Sequence, residues 1–211
     1  MLIVETFPVG LLQCNCTVLG DPVSKEALVV DPGDDVDAVL AVLAKHGLAC
    51  RAIVNTHTHI DHVGANDELK RATGARLMLH EADLPLYDNL RVQAEWLGGV
   101  APPVRADVDE HIHQGDSVAA GGVLAQVLHT PGHTPGSLCF HVEGPDPLLL
   151  SGDTLFAGSI GRTDLWGGDF DQEIDSIRKR LLTLDDRTRV IPGHGPLTTI
   201  GAERRRNPFL A

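Results

Sequence analysis

The densest group of metal-binding side chains is Thr56-His57-Thr58-His59-Ile60-Asp61-His62, directly after the apolar run Arg51-Ala52-Ile53-Val54-Asn55. Three imidazoles and a carboxylate fall within six residues. Neutral imidazole and carboxylate together suit zinc, iron or manganese. On an extended segment leaving a strand, residues i and i+2 point the same way, so His57 and His59 can grip one ion. On a helix they would diverge. Asp61 and His62 follow where the chain swings towards a helix, and Gly64 gives room for that swing. His133, Asp153 and His194 each close a short apolar or Gly-rich segment further on. A carboxylate at the end of a buried strand needs a partner, and its two oxygens let Asp153 bridge two ions. The pattern predicts a metal site built from strand ends, holding two metals.

The other histidines ask for less. His129 competes with His133 across the stiff Thr130-Pro131-Gly132 turn, and is expected to pack beside the site or support it. His46 lies near a helix end, where positive charge is favoured. His80, His111, His113 and His141 read as strand-edge or surface residues. No Gly-x-Ser-x-Gly elbow is present, which argues against a serine hydrolase.

The elements that must position these groups alternate. Leu2 to Phe7, Cys14 to Leu19 and Ala27 to Val30 are short and β-prone, and Asp31-Pro32-Gly33 ends the third in a turn. Val36, Val39, Leu40 and Leu43 recur at helical spacing. Asp34 or Asp35 can cap that helix, and Gly47 stops it. Arg51 to Asn55 is the next strand. Ala65 to Thr73 reads as helix and Arg76 to His80 as strand. Glu81 to Leu97 reads as helix, interrupted by or starting near Pro85, and Gly98 to Asp109 as loop. Short strands follow around Val118, over Val123 to Leu128, over Ser137 to Phe140 and over Leu148 to Leu150. Phe170 to Leu184 is a helix with Ile174, Ile177, Leu181 and Leu182 on one stripe, and Arg189 to Ile191 is a final strand. The order is α/β, with ligands at carboxyl ends of strands, where such sheets usually place their chemistry. Both halves supply ligands, and no Pro-, Ser- or charge-rich linker separates them, so one domain over residues 1–211 is expected.

Composition narrows the partners. The chain has 211 residues, 43% hydrophobic but only 4% aromatic, so the core must rest on Val, Leu, Ile and Ala. With a formal charge of −12 and no long basic run, nucleic acid is excluded as an expected partner. Arg204-Arg205-Arg206 is too short a cluster to change that. Cys14, Cys16, Cys50 and Cys139 lack C-x-x-C spacing and read as buried thiols, with Cys14 and Cys16 on one strand face. Neither a leader nor a membrane span is apparent, so a cytoplasmic protein without membrane contact is expected, as a monomer or small homo-oligomer.

The Thr-His-x-His-x-Asp-His signature with the later His133, Asp153 and His194 resembles the metallo-β-lactamase fold superfamily over essentially the whole chain. Within it the chain is most similar to short glyoxalase II-like (hydroxyacylglutathione hydrolase-like) hydrolases, through Val29-Val30-Asp31-Pro32-Gly33, Gly161-Arg162-Thr163-Asp164 and Asn207-Pro208-Phe209. The resemblance implies a four-layer αβ/βα sandwich with the site at one edge. It implies that His57, His59 and His133 hold one metal and that Asp61, His62 and His194 hold a second, with Asp153 bridging. Zinc is the first expectation, iron or manganese the alternatives. Two dications about 3.5 Å apart make hydroxide available at neutral pH, to attack a thioester such as S-D-lactoylglutathione. Asp61 would also orient that nucleophile.

Full-length glyoxalase II enzymes bind glutathione with a C-terminal helical domain for which the stretch after His194 is too short. The glutathione site is therefore expected to be missing or built differently. Arg162 is the one basic residue nominated for substrate, and Trp166 either lines the pocket or packs on the sheet. The rival implied by the same resemblance is a mononuclear iron persulfide dioxygenase using His57, His133 and Asp153. A degenerate, non-catalytic metal-binding module is a second rival. A β-lactamase is less expected, because zinc β-lactamases commonly place cysteine where Asp153 stands.

Overall fold

The aliphatic runs form strands that are buried on both faces where they are central and on one face towards the edge of the second sheet. In the computed structural model, which describes residues 1–210, the first sheet comprises β1 (Ile3–Val9), β2 (Cys14–Gly20), β3 (Glu26–Val30), β4 (Ala49–Val54), β5 (Arg76–Leu79) and β6 (Glu110–His111), hydrogen-bonded in that order. β1 to β3 are antiparallel, and β3 to β6 run parallel. The second sheet contains β7 (Ser117–Ala120), β8 (Val123–His129), β9 (Leu138–Val142) and β10 (Leu148–Gly152). A small hairpin, β11 (Leu155–Phe156) with β12 (Ser159–Ile160), stands apart, and β13 (Arg189–Pro192) and β14 (Thr198–Thr199) complete the second sheet in the order β14-β13-β10-β9-β8-β7.

Side chains alternate across each sheet, which divides the core into three parts. Leu28, Val54 and Met78 of the first sheet meet Val127, Phe140 and Leu150 of the second in the central layer. Val29, Ile53 and Leu77 face outwards onto Val39 and Leu43 of α1 (Val36–His46), Val63 of α2 (Ile60–Val63) and Leu69 of α3 (Asn66–Thr73). α4 (Leu84–Tyr87) and α5 (Leu90–Trp96) extend that outer layer, Tyr87 and Leu90 being buried in it. On the far side Cys139, Leu149 and Val190 pack on Ile177, Leu181 and Ile200, beneath α6 (Phe170–Ser176) and α7 (Ile200–Arg206). Helix, sheet, sheet, helix is the expected four-layer αβ/βα sandwich.

Topology gathers the loops. The parallel strands β3, β4 and β5 send residues after Val30, Val54 and Leu79 to one edge, and the parallel pair β10 and β13 sends Gly152 and Pro192 there too. Asp35 caps α1 by accepting from the Ala38 N–H at 3.0 Å, and Gly47 ends it in the left-handed region at φ 62°. The expected helix over Glu81 to Leu97 is three short pieces: a 3-10 turn at Glu81–Asp83, then α4 and α5. Pro85 sits in the first turn of α4, where its missing N–H costs nothing. The stripe at 174–182 is helical as expected, but widens to a π turn over Ile177–Leu181. All four cysteines are free and buried. No helix among the described residues is long and apolar enough to cross a membrane.

Candidate metal centre

After β4 the chain runs extended to His59, whose φ and ψ are −65° and 146°, and then turns into α2. His57 and His59 therefore share a side, as the spacing requires. His57 Nε2 lies 3.0 Å from His59 Nδ1, and His133 Nε2 lies 3.2 Å and 2.9 Å from the same two atoms. Asp61, His62 and His194 form a second cluster: His194 Nε2 is 3.1 Å, and His62 Nε2 3.6 Å, from Asp61 Oδ2. Asp153 stands between the two. Its Oδ1 is 3.5 Å from His62 Nε2, and its Oδ2 is 3.7 Å from His133 Nε2 and 3.8 Å from His194 Nε2. All seven residues singled out in the sequence thus converge.

The proton inventory shows that a cation fits. His133 Nδ1 is 2.7 Å from the Arg162 carbonyl, an acceptor only, so that nitrogen carries the proton and Nε2 presents a lone pair. The Thr56 hydroxyl donates to Asp31 Oδ2 at 2.6 Å, which leaves its oxygen to accept from His57 Nδ1 at 3.1 Å. His57 Nε2 is then a second bare lone pair, facing the first. Burial keeps both rings neutral by pushing the His57 and His133 pKa values down. It pushes His59 down to about 3. Lone pairs this close repel unless a cation lies between them.

The second cluster makes the same demand. His62 Nδ1 faces Asp31 Oδ2 at 3.0 Å, while His62 Nε2 and Asp153 Oδ1 are buried without any hydrogen-bond partner. Burial alone would strip the His62 proton, but Cys14, Asp61, Asp153 and Asp31 reverse that and raise its pKa. Burial pushes Asp61 up, yet His62 and His194 outweigh it and hold the carboxyl below its usual range. Orphaned nitrogen and carboxylate oxygens around one point are the donor set of a hard or borderline dication.

Residues that the sequence did not flag hold these ligands in place. Asp31, read as a turn residue and as part of a stretch that carries the resemblance but given no role at the site, takes the Thr56 N–H at 2.8 Å and orients His62. Asp83 is buried and ties two ligand loops together, accepting from the Thr58 N–H at 3.0 Å, the Thr134 hydroxyl at 2.9 Å and the Gly136 N–H at 2.6 Å. Gln93 accepts from the Ile60 N–H at 2.9 Å and donates to the Thr58 carbonyl at 3.2 Å. Glu173 is fully buried, accepts from the His133 N–H at 2.9 Å, and is pushed up to about 9 by burial. Its signal was present: it lies four residues before Ile177, on the buried stripe. Gly193 admits no side chain, since a Cβ there would lie 2.1 Å from Asp153 Oδ1. Asn15 fixes the His194 turn by donating to the Pro192 carbonyl at 2.9 Å.

The remaining nominated residues divide. The Arg162 guanidinium is exposed and paired with both oxygens of Asp164, at 2.8 and 2.9 Å, while its backbone carbonyl is the part that meets His133. Trp166 is exposed and shares an apolar recess with Trp96, Leu86 and Val92. His129 packs, stacked on His80 with ring centroids 4.2 Å apart. His141, expected at an edge or the surface, is instead buried on β9, a central strand. The side chains of His57, His62 and His133 are sealed, whereas those of His194, Asp61 and Asp153 are 29%, 15% and 13% exposed, so the centre opens on that side.

Comparison with known proteins shows the family and the fold. The family model of the metallo-beta-lactamase superfamily matches residues 9–194. The chain is 38% identical over 210 residues to the hydroxyacylglutathione hydrolase GloC of Haemophilus influenzae, covering 98% of this chain and 97% of that protein. Among solved structures it is similar to the BLEG-1 B3 metallo-beta-lactamase, with a TM-score of 0.90 and 38% identity over 99% of both chains. It is also similar to TTHA1623 in a di-iron-bound form, with a TM-score of 0.87 and 40% identity, covering 98% of this chain and 100% of that one.

Proposed function

From the premise that the chain belongs to the metallo-beta-lactamase superfamily, we propose that it hydrolyses acyl thioesters, S-D-lactoylglutathione being the first to test, with two dications held by its seven convergent ligands. His57, His59 and His133 would hold one ion and Asp61, His62 and His194 the other, with Asp153 between them. Zinc is the first candidate, and the di-iron relative makes iron the next. The observation that carries this reading is the position of Asp153, whose carboxylate touches both clusters: Oδ1 faces His62 of the second, and Oδ2 lies between His133 of the first and His194 of the second.

Bound dications lower the pKa of water and polarise a carbonyl. The chain's own groups do the rest. Asp61, held ionised by His62 and His194, accepts a hydrogen bond from water entering at the open side and fixes its direction of attack. Asp31 and the Arg162 carbonyl each accept a hydrogen bond from the outward N–H of a ligand histidine, which aims the other nitrogen inwards. A thiolate leaves with little acid help, because a thiol is far more acidic than an alcohol. The GloC relative supports the thioester reading.

The test is turnover of S-D-lactoylglutathione by the wild type and a His59→Ala variant, with a β-lactam assayed in parallel because one similar structure is a B3 metallo-beta-lactamase. Thiol release that is lost in the variant supports the proposal. Unchanged turnover in the variant, or β-lactam cleavage without thiol release, overturns it.

A further inference from the structure

Beside the open face of the metal centre lies a cavity of about 270 Å³ that the reaction so far does not use. One wall is the β1–β2 turn, Gly10 to Leu12. The other is the loop after α5, with Leu97, Val100 and Pro103. Ile60 and Asp61 also line it, so it borders the second ligand cluster through Asp61. Two adjacent leucines at a hairpin tip, Leu11 and Leu12, are 72% and 43% exposed, and Val100 across from them is 38% exposed. Apolar side chains grouped around a concavity at a reaction centre mark a ligand site more often than scattered exposure does.

Charge decides what such a site takes. Among the described residues that line the cavity the only charged side chains are Asp34 and Asp61, and none is basic. A carboxylate entering there would be desolvated beside two like charges, without a donor to pair it. Size decides which end of a thioester enters. Sites for whole drug-sized molecules start at roughly 300 Å³, so this one suits a short arm and not a bulky thiol carrier.

We propose that this cavity receives the acyl arm of the substrate and selects an uncharged, aliphatic one over a carboxylated one. The inference rests on the thioester hydrolase reading and adds a substrate class to it. The carrier then lies outside the cavity, on the exposed side of the centre.

The experiment uses thioesters of N-acetylcysteamine, an uncharged thiol, with acetyl, hexanoyl and adipoyl groups, on wild type and Leu11→Lys. Leu11 is an exposed tip, so the substitution leaves the core alone. The expected wild-type kcat/KM for hexanoyl is at least tenfold above both acetyl and adipoyl. Lysine at the rim should shift the adipoyl-to-hexanoyl ratio at least tenfold towards adipoyl. Equal kcat/KM for hexanoyl and adipoyl, unmoved by Leu11→Lys, overturns the cavity assignment and leaves the hydrolase reading intact. If no thioester turns over, the hydrolase reading falls, and binding of the hexyl and 5-carboxypentyl thioethers of the same thiol decides the cavity. Tighter hexyl binding that Leu11→Lys abolishes supports it, and equal or absent binding overturns it.

Discussion

Asp31 Oδ2 lies 3.0 Å from His62 Nδ1 and also accepts the Thr56 hydroxyl at 2.6 Å, so one buried carboxylate sets the posture of the segments on both sides of the His57–His59 pair. Outer partners of this kind are worth about 10–100-fold in metal affinity. Asp31→Ala should therefore stay folded yet lose metal by that factor. Competition against a chromophoric chelator measures it, and an unchanged affinity would contradict the assigned role.

Glu173 holds the His133 amide from the opposite layer. Its carboxyl, pushed up to about 9 by burial, carries a proton at neutral pH. Glutamine should therefore replace it with little effect. Alanine leaves the His133 N–H buried without an acceptor, which costs about 1–3 kcal/mol. Urea unfolding of Glu173→Gln and Glu173→Ala at pH 7 should separate the two. Equal loss in both would mean that the charged form is the one required.

Asp83 gives a pH window. Burial raises it from 3.8 to about 6 in the folded chain. A carboxyl raised on folding binds its proton more tightly in the native state, so its contribution is fully present below about 3.8 and is lost as pH climbs through about 6. The shift corresponds to about 3 kcal/mol. The stability of Asp83→Asn relative to wild type should accordingly improve by up to that amount between pH 4 and pH 7.5. A difference that is flat with pH would show that Asp83 is ionised throughout.

Metal should also be a folding ligand. Facing lone pairs on His57 and His133 and the orphaned His62 Nε2 are strained without a cation. A chelator should lower Tm, and free zinc or iron at about a thousand times Kd should add about 4 kcal/mol of stability. A Tm indifferent to both would remove the cation from the account.

The ligands were legible in the sequence because each sits where an apolar strand ends, and strand ends can be read from composition and turn residues. Helix α1, with Asp35 before it and Gly47 after it, was legible for the same local reason. The supports were not. Asp83 and Gln93 are polar residues in helical or turn segments, indistinguishable by type from a solvated face, and only the packing of α4 and α5 against the ligand loops buries them, while Glu173 was marked by nothing but its register four residues before Ile177. His141 was misplaced because nothing local shows that β9 is a central strand. The β11–β12 hairpin has two residues per strand, too few for any periodicity. The cavity beside Asp61 joins Leu11 to Val100 across most of the first sheet's sequence, a juxtaposition that belongs to tertiary structure alone.

The most direct test of the central claim is elemental analysis of anaerobically purified protein, coupled to an assay on S-D-lactoylglutathione. Two metals per chain with thiol release is the predicted result. One iron per chain, no thiol release, and oxygen uptake with glutathione persulfide would contradict it and move the protein to the mononuclear dioxygenase reading.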